Sequence, residues 1–238
     1  MKSLSLIKPA FVCLITVALG GLSLKAQETK NVSVSNFSEV SVGAGIELHI
    51  TQGAAESAKI VANDDVINEV VVAKSGNRVT VGWKENWGMS KMWKNKSAKV
   101  YITYKKLNSI SASSGSSLRT ENTLKTDRLN ASVSSGASMD AKIACSDLQL
   151  QTSSGASASL AGSATNMQIE SSSGSSVDAL GLSTEYARAN TSSGADIKIN
   201  VIKALETHTS SGSNIRYKGA AALKNNSNER SSSVSRIN

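Results

Sequence analysis

The sequence is poor in proline, histidine and aromatic residues. It contains one proline, two histidines and 4% aromatic residues. No C-x-x-C, H-E-x-x-H or P-loop motif occurs, and the calcium-binding nonapeptide of some solenoid proteins is absent too. We therefore predict no cofactor and no metal. Val, Ile and Leu nevertheless recur at regular spacing, which a disordered chain would not show.

Long apolar runs are missing except at the N-terminus. There Lys2 and Lys8 precede the run AFVCLITVALGGL, and a small residue, Ala26, ends the segment. This order predicts a signal peptide over residues 1–26, and an uncleaved membrane anchor is the alternative. We expect a protein exported to the periplasm or the cell surface, with no membrane span after signal removal.

Cysteine is nearly absent. Cys13 lies within the apolar run and would leave with the signal peptide, so Cys145 would remain without an intrachain partner. An exported chain without disulfides is more typical of a bacterial envelope than of eukaryotic secretion.

A strong charge of one sign is also missing. Removing Lys2, Lys8 and Lys25 with the signal peptide leaves 23 of the 26 basic residues against 18 acidic ones, a net charge of about +5. Over most of the chain no basic stripe is interleaved with aromatic residues. The composition therefore predicts no nucleic-acid partner.

What the sequence has in abundance is Ser-Ser-Gly. The glycines of six such units are 21, 19, 19, 20 and 18 residues apart. A period near twenty residues is typical of a solenoid, in which each repeat forms one coil. The six glycines are Gly115, Gly136, Gly155, Gly174, Gly194 and Gly212.

Side chains alternate in character around each of these glycines. Two residues before the glycine there is always a serine, and four residues after it there is always a polar or charged residue. Such alternation predicts β-strands with one face buried. Because the phase is kept over six copies, we predict an all-β fold, a parallel β-helix (β-solenoid) with coils of about 20 residues. The residues three after each glycine should form an interior ladder: Leu118, Met139, Ala158, Val177, Ile197 and Ile215.

The repeated Ser-Ser-Gly is predicted to be a structural corner rather than a nucleophile. Glycine can turn the chain at a positive φ without a Cβ clash. The flanking serines can hydrogen-bond backbone groups that the corner leaves unpaired. This interpretation accounts for all six copies, whereas a catalytic serine would account for one.

Residues 30–106 are less regular than the repeats that follow. Alternation in SEVSVGAGIELHI, RVTVGW and KVYITY predicts further strands, and DDVINEVVVAKSG fits either a short helical turn or a strand. No Pro- or Gly-rich linker intervenes, so we predict one solenoid domain over residues 30–223, with irregular first coils at 30–106 and repeat coils at 107–223. Residues 224–238 are polar at the inward positions, which predicts a C-terminal tail.

One segment departs from the pattern: GWKENWGMSKMWKNKSAK, residues 82–99. It holds all three tryptophans of the chain and five lysines. Either it folds its aromatics over an open end of the solenoid, or it is a recognition loop in which aromatic faces stack on sugars and lysines attract anions. The candidate binding residues are Trp83, Trp87, Trp93, Lys91, Lys94 and Lys96.

The histidines and paired carboxylates of the sequence do not match a known catalytic motif. His49 and His208 both fall at outward positions, and neither accompanies a G-x-S-x-G motif. Asp140 and Asp178 share an outward column two coils apart, about 10 Å at ~4.8 Å per coil, which an inverting glycosidase pair would allow. Charges of both signs are also normal on a solvated solenoid face, and we predict no catalytic residues.

The segment NFSEVSVGAGIELHITQG, followed by tandem Ser-Ser-Gly coils, resembles the putative auto-transporter adhesin, head GIN domain family. The resemblance covers about residues 36–218. It implies a right-handed parallel β-helix, export to the envelope of a Gram-negative bacterium, and cell adhesion without established catalysis. The family name contains Gly-Ile-Asn, whereas this chain has Gly45, Ile46 and Glu47.

Three functional hypotheses follow from the sequence. The first is an exported, non-enzymatic, adhesin-like protein that binds a glycan or a surface protein through a rigid β-helix. The second is a carbohydrate-active enzyme of the β-helix type, either a polysaccharide lyase or a hydrolase. The third is a structural envelope protein without a specific ligand. A groove lined with clustered carboxylates or histidines would favour the enzyme. The sequence does not define the oligomeric state.

Overall fold

A computed structural model describes residues 27–84, 97–227 and 232–237. Within these ranges the chain is built from stacked parallel coils, which confirms the predicted all-β solenoid. There are about seven turns, about 19 residues apart. The predicted signal peptide, residues 1–26, lies outside the described residues. The helix in the described part of the chain is too short to cross a membrane.

The described residues form eighteen strands and one helical turn. In chain order they are β1 Gln27–Val32, β2 Glu39–Val42, β3 Glu47–Gln52, β4 Ser57–Asn63, α1 Asp64–Ile67, β5 Val70–Ser75, β6 Arg78–Trp83, β7 Ala98–Tyr104, β8 Ser109–Ala112, β9 Ser117–Thr120, β10 Leu124–Lys125, β11 Arg128–Val133, β12 Ser138–Thr152, β13 Ser157–Ser171, β14 Ser176–Thr191, β15 Asp196–Thr209, β16 Asn214–Lys218, β17 Ala222–Asn225 and β18 Ser233–Arg236.

The core follows from the alternation of side chains along these strands. Each residue three after a corner glycine is at most 3% exposed. Each pairs in register with its counterpart in the next coil, so the set forms the predicted interior ladder. Leu48 extends this ladder by one coil at the N-terminal side, where it pairs with Leu118.

The corners contain two consecutive residues with positive φ. In the second repeat coil, Ser135 has φ 54° and Gly136 has φ 70°, and the N–H of Ala137 donates to the carbonyl oxygen of Ser134 at 3.1 Å. This pattern is that of a type I′ turn. The same conformation recurs at every Ser-Ser-Gly, and Ala44 with Gly45 adopts it between β2 and β3. The corner therefore requires a left-handed residue before the glycine as well.

Backbone hydrogen bonds join the corners of successive coils. The N–H of each corner glycine from Gly115 to Gly194 donates to the carbonyl oxygen of the positive-φ serine in the next coil at 3.0 Å. Where a serine follows the glycine, as Ser116, Ser175 and Ser213 do, its buried hydroxyl donates at 2.7 Å to the carbonyl that opens the turn. The polar groups of the corner thus form hydrogen bonds both within one coil and between neighbouring coils.

The order of coils in space differs from their order in sequence. β2 lies between β6 and β8, parallel to both, and β3 lies between β7 and β9 in the same way. The coil formed by β6 and β7 therefore stacks outside the coil formed by β2 and β3. β6 and β7 provide the outermost of the parallel strands at this end of the described solenoid.

Antiparallel strands close the N-terminal end. β5 pairs antiparallel with β6, β4 with β7, and β1 with β4. The short helix α1 follows an N-cap residue, Asn63, and buries Val66 and Ile67. The segment DDVINEVVVAKSG thus forms a helical turn and then a strand. These elements cover the edge that the last parallel coil would expose to other chains.

The solenoid continues into the region predicted as a tail. β17 extends to Asn225, and β18 lies parallel to β16, with Val234 paired to Ile215. Residues 233–236 therefore add part of a further coil beyond residue 223. The backbone pairing persists because parallel strand hydrogen bonds do not depend on the polar character of the side chains.

Candidate functional site

The predicted tryptophan-rich loop begins at the corner of the outermost parallel coil. Trp83 ends β6, is half-buried against the core, and donates from Nε1 to the carbonyl oxygen of Ala44 at 2.8 Å. β7 resumes at Ala98, one residue before Lys99, which pairs with Glu47. β6 and β7 thus lie beside β2 and β3, which the turn at Ala44 and Gly45 joins. Trp87, Trp93, Lys91, Lys94 and Lys96 lie outside the described residues.

An open groove of about 630 Å³ crosses six neighbouring strands, β11 to β15 and β17, on one face of the solenoid. Tyr186 lies in this groove with 45% of its surface exposed. Its position is outward in β14, and the same position along the neighbouring strands is filled by Arg128, Asp147, Asn166, Ala204 and Ala222. We call this groove the Tyr186 groove.

A second row of outward side chains forms the other wall of the Tyr186 groove. It lies two residues further along each strand and begins with three amides, continuing with three charged residues. Between the two rows the intervening residues, among them Leu148, Met167 and Leu205, point inward and are buried, so the strand backbone forms the floor. The second row consists of Asn130, Gln149, Gln168, Arg188, Glu206 and Lys224.

The charges of the Tyr186 groove are paired with one another. Arg188 and Lys224 both contact the Glu206 carboxylate, at 2.9 and 3.2 Å, and Arg128 lies 3.7 Å from Asp147. Hydrogen bonds from Arg188 and Lys224 lower the pKa of Glu206. The groove therefore presents a nearly neutral surface with many hydrogen-bonding groups.

The Tyr186 ring is contacted by a lysine side chain. Lys203 lies over it, with Nζ 5.4 Å from the ring centroid, and the same Nζ contacts Glu185 at 2.6 Å. Toward the C-terminal end Tyr186 pairs with the small Ala204. An exposed aromatic face beside a small neighbour is a suitable platform for a flat apolar surface.

Sequence analysis did not identify Tyr186, although the sequence contains a signal for it. Tyr186 stands eight residues before Gly194, which is an outward position in the alternation. An aromatic residue at an outward position in a chain with few aromatics is the feature that would have found it. The convergence of Tyr186 with Arg128 and Lys224 required the stacking order of the coils.

His49 is locked between two carboxylates. Its Nδ1 lies 2.5 Å from Glu121 and its Nε2 lies 2.7 Å from Glu47, while its ring stacks on Tyr101 with centroids 4.8 Å apart. The side chain is only 12% exposed. Both ring nitrogens of His49 therefore already have a carboxylate partner within the chain.

Glu47 occupies the place of the asparagine in the Gly-Ile-Asn of the family name. Burial raises the pKa of its carboxyl, but hydrogen bonds from Lys99 and His49, with the charges of both, outweigh burial and lower the pKa below its ordinary value of 4.5. Lys99 lies 3.1 Å from the carboxylate. Glu47 therefore acts as the centre of an ion-pair cluster that joins β3 to β7.

Asp140 and Asp178, whose spacing an inverting pair would allow, lie in one groove. Asp140 and Asp178 line a groove of about 450 Å³ and are separated by the coil of Ser159, as the repeat predicts. Asp140 is paired with Arg119 at 3.0 Å, and both side chains are mostly exposed. No buried acid stands opposite a second carboxylate here among the described residues.

The remaining candidates for chemistry are His208, which lines a groove of about 520 Å³ with Glu170 and serines of the corners, and Cys145. His208 is exposed, and its Nδ1 lies 3.4 Å from the carbonyl oxygen of Asn226. Burial and then the charge of Asp147 raise the pKa of the half-buried Cys145 thiol to about 11, so the thiol stays protonated at neutral pH. Across residues 27–84, 97–227 and 232–237, no three His, Cys, Asp or Glu residues gather as metal ligands would.

The fold defines a parallel β-solenoid protein with polar outer faces. The family model of the putative auto-transporter adhesin, head GIN domain, matches residues 36–221. The chain therefore belongs to this family. No curated protein matches it.

Solved structures share the fold at low sequence identity. A putative adhesin from Bacteroides fragilis is 21% identical, with 90% of this chain and 98% of that chain covered and a TM-score of 0.79. A putative adhesin from Parabacteroides merdae is 18% identical, with 89% and 96% covered and a TM-score of 0.70. A protein from Parabacteroides distasonis described as a putative lipid binding protein is 14% identical, with 89% and 97% covered and a TM-score of 0.68. These similarities establish the fold.

Proposed function

We propose that this protein is an exported, non-enzymatic, adhesin-like protein that attaches to a ligand through the outer face of its solenoid. Membership of a family described as adhesins supports this role. The predicted signal peptide supports export to the periplasm or the cell surface. A glycan or a surface protein is the proposed partner class.

The observation that carries the proposal is the Tyr186 groove. It is an open groove with an exposed aromatic ring and a row of amides, and ligand sites commonly combine aromatic and polar groups of this kind. Its walls stand on strands that are hydrogen-bonded to neighbours on both sides, such as β13 and β14. Binding to such a prearranged surface loses little conformational entropy.

The enzymatic alternative has weaker support. A β-helix hydrolase or lyase needs a general acid or base that is free to exchange a proton with substrate. Both ring nitrogens of His49 already contact carboxylates, and Asp140 is paired with Arg119. We therefore propose a binding role. The third hypothesis, a structural envelope protein, is tested by whether any ligand binds.

The experiment uses the full chain, expressed with its N-terminal segment and purified after export. Beads coated with this protein are applied to mucin, extracellular-matrix proteins and epithelial cells, and retained beads are counted after washing. We expect retention on at least one surface. Beads coated with serum albumin are the control and should give background retention.

Background retention of the native protein on every surface would contradict the adhesin-like role. The same protein is also incubated with a panel of polysaccharides, and new reducing ends or unsaturated sugar products are measured. Either product, at a level that depends on protein concentration, would favour the enzyme. Mass spectrometry of the purified chain tests cleavage after Ala26.

The tryptophan-rich segment remains a second proposed contact surface. Trp83, at the start of this segment, contacts Ala44 in the N-terminal coils, whereas the Tyr186 groove is formed by later coils. If it contributes to attachment, Trp87→Ala should reduce bead retention without lowering the melting temperature. A large loss of thermal stability with unchanged retention would leave this segment with a structural role.

A further inference from the structure

We infer that the Tyr186 groove binds an uncharged oligosaccharide chain that lies across the strands, parallel to the solenoid axis. This inference rests on the proposed function and names the ligand class of the groove. It depends on the charge balance of the groove, on the environment of one aromatic ring, and on the order of the amide side chains.

The charge balance selects an uncharged ligand. Three basic and two acidic side chains line the groove, and each contacts a partner of opposite sign within it. Arg188 and Lys224 share the Glu206 carboxylate, so their charge is partly neutralised toward an acidic polysaccharide. Glu206 is likewise partly neutralised toward a basic peptide. An uncharged chain can lie against these pairs without breaking them.

The aromatic ring selects a ligand with a flat apolar face. Tyr186 is 45% exposed, and its neighbours in the row are Asn166 on one side and Ala204 on the other. The next residue in that row is Ala222, so the two side chains that follow Tyr186 are short and do not cover its ring. A pyranose presents one face of C–H groups that stacks on an aromatic ring, while its hydroxyls remain at the edge.

The amides provide partners for those hydroxyls. Asn130, Gln149 and Gln168 occupy successive strands at one wall. Among the described residues, the side chains of Asn130 and Gln149 make no hydrogen bond within the chain, whereas Gln168 donates to Glu170 at 3.2 Å. Each amide carries both donors and an acceptor, so it can bind a hydroxyl in either role.

The dimensions fit an extended chain rather than a single sugar. The two rows cross six strands, so at ~4.8 Å per strand they extend for about 24 Å. The amides lie at the N-terminal part of this length, and Tyr186 lies beyond its middle. A ligand that contacts both Tyr186 and Asn130, which are three strands apart, must cover about 14 Å at ~4.8 Å per strand, more than one sugar unit. We therefore expect affinity to rise with oligosaccharide length.

The test measures binding of the exported full chain to sugars of defined length by calorimetry. The neutral probes are hexasaccharides of cellulose, xylan, mannan and chitin, together with the matching disaccharides. Hexagalacturonate is the acidic probe. We expect at least one neutral hexasaccharide to bind, and to bind more tightly than its disaccharide. Its affinity should stay constant between about 50 and 500 mM salt, because no ion pair with the ligand is screened.

Three variants place the ligand. Tyr186→Ala should weaken binding roughly tenfold or more, the loss that corresponds to about 1.4 kcal/mol of stacking. Tyr186→Phe keeps the ring and should retain binding. Ile202→Ala is the matched control because Ile202 is as exposed as Tyr186, at 47%, but does not line the groove.

Several results would overturn the inference. Equal binding by Tyr186→Ala and the native protein would place the sugar elsewhere. Binding of hexagalacturonate alone, weakening with salt, would show an acidic ligand. Bead retention on a surface without binding of any sugar would reject the glycan while leaving the adhesin-like role intact. Loss of retention on all surfaces would reject the proposed function itself.

Discussion

The backbone N–H of Gly155 donates a hydrogen bond to the carbonyl oxygen of Ser173, one coil further on, at 3.0 Å. Both residues have positive φ, and each lies in a corner of the same type. The left-handed conformation thus turns the chain and also aims the polar groups of the corner along the stack. This relationship gives the repeated Ser-Ser-Gly a structural role.

Two glycines that differ in their surroundings should differ in their tolerance of alanine. A Cβ at Gly155 would meet nothing within 4 Å, so Gly155→Ala should cost the left-handed penalty of about 1–2 kcal/mol. A Cβ at Gly162 would lie 2.0 Å from the carbonyl oxygen of Ile143. Gly162→Ala should therefore cost at least about 3 kcal/mol. Urea denaturation measures both, and equal losses would contradict the packing described here.

Adjacent residues in β14 should respond oppositely to a buried charge. Val177 is 1% exposed and pairs with Ala158 and Ile197 inside the solenoid, whereas Ser176 is exposed. Val177→Asp should lose more than about 3 kcal/mol because the carboxylate has no partner there. Ser176→Asp should change stability by less than about 0.5 kcal/mol. Similar melting temperatures for the two variants would refute the inward and outward assignment.

The positive-φ serines should accept alanine but resist valine. Ala44 already holds the same conformation, with φ 56° against 55° at Ser154. Ser154→Ala should thus cost less than about 1 kcal/mol, and Ser154→Val should cost more because a β-branched residue is strained at positive φ. Differential scanning calorimetry compares the two. Labelling of Ser154 by a fluorophosphonate probe would show instead that this serine is a nucleophile.

The Glu47 cluster should make stability depend on acid. Because the pKa of Glu47 is lower in the folded protein than its ordinary 4.5, its charge contributes stability above pH 4.5. That contribution is lost as the pH falls through the lowered pKa. Glu47→Gln should be less stable than the native protein at pH 7, and the difference should shrink below pH 4.5. Chemical denaturation at a series of pH values checks this, and a constant difference would exclude the linkage.

Trp83 should stabilise the outermost parallel coil through its indole nitrogen. Trp83→Phe keeps a ring but removes the hydrogen bond to the carbonyl of Ala44. We expect the free energy of unfolding to fall by about 0.5–1.5 kcal/mol. Hydrogen exchange should localise this loss to β2, β6 and β7. An effect spread evenly over the later coils would indicate that Trp83 acts in another way.

The sequence by itself determined the coils from residue 107 onward. A two-residue period dictates which side chains point inward, so the burial of Leu118 and Val177 required no tertiary information. The spacing of the glycines gave the length of a coil and the position of its corners. These features are local, because each is decided by backbone geometry and by the residue that can adopt it.

Only the tertiary structure decided the order of coils and the location of the candidate site. The local residue pattern does not predict that β6 and β7 stack outside β2 and β3, because a strand can pair in parallel along either of its edges. The contact of His49 with Glu121, 72 residues away, follows from that order. The Tyr186 groove arises in the same way, since side chains about twenty residues apart in sequence become neighbours when strands stack in register. The close approach of Gly162 to Ile143 is likewise a property of two coils in contact, which neither coil determines alone.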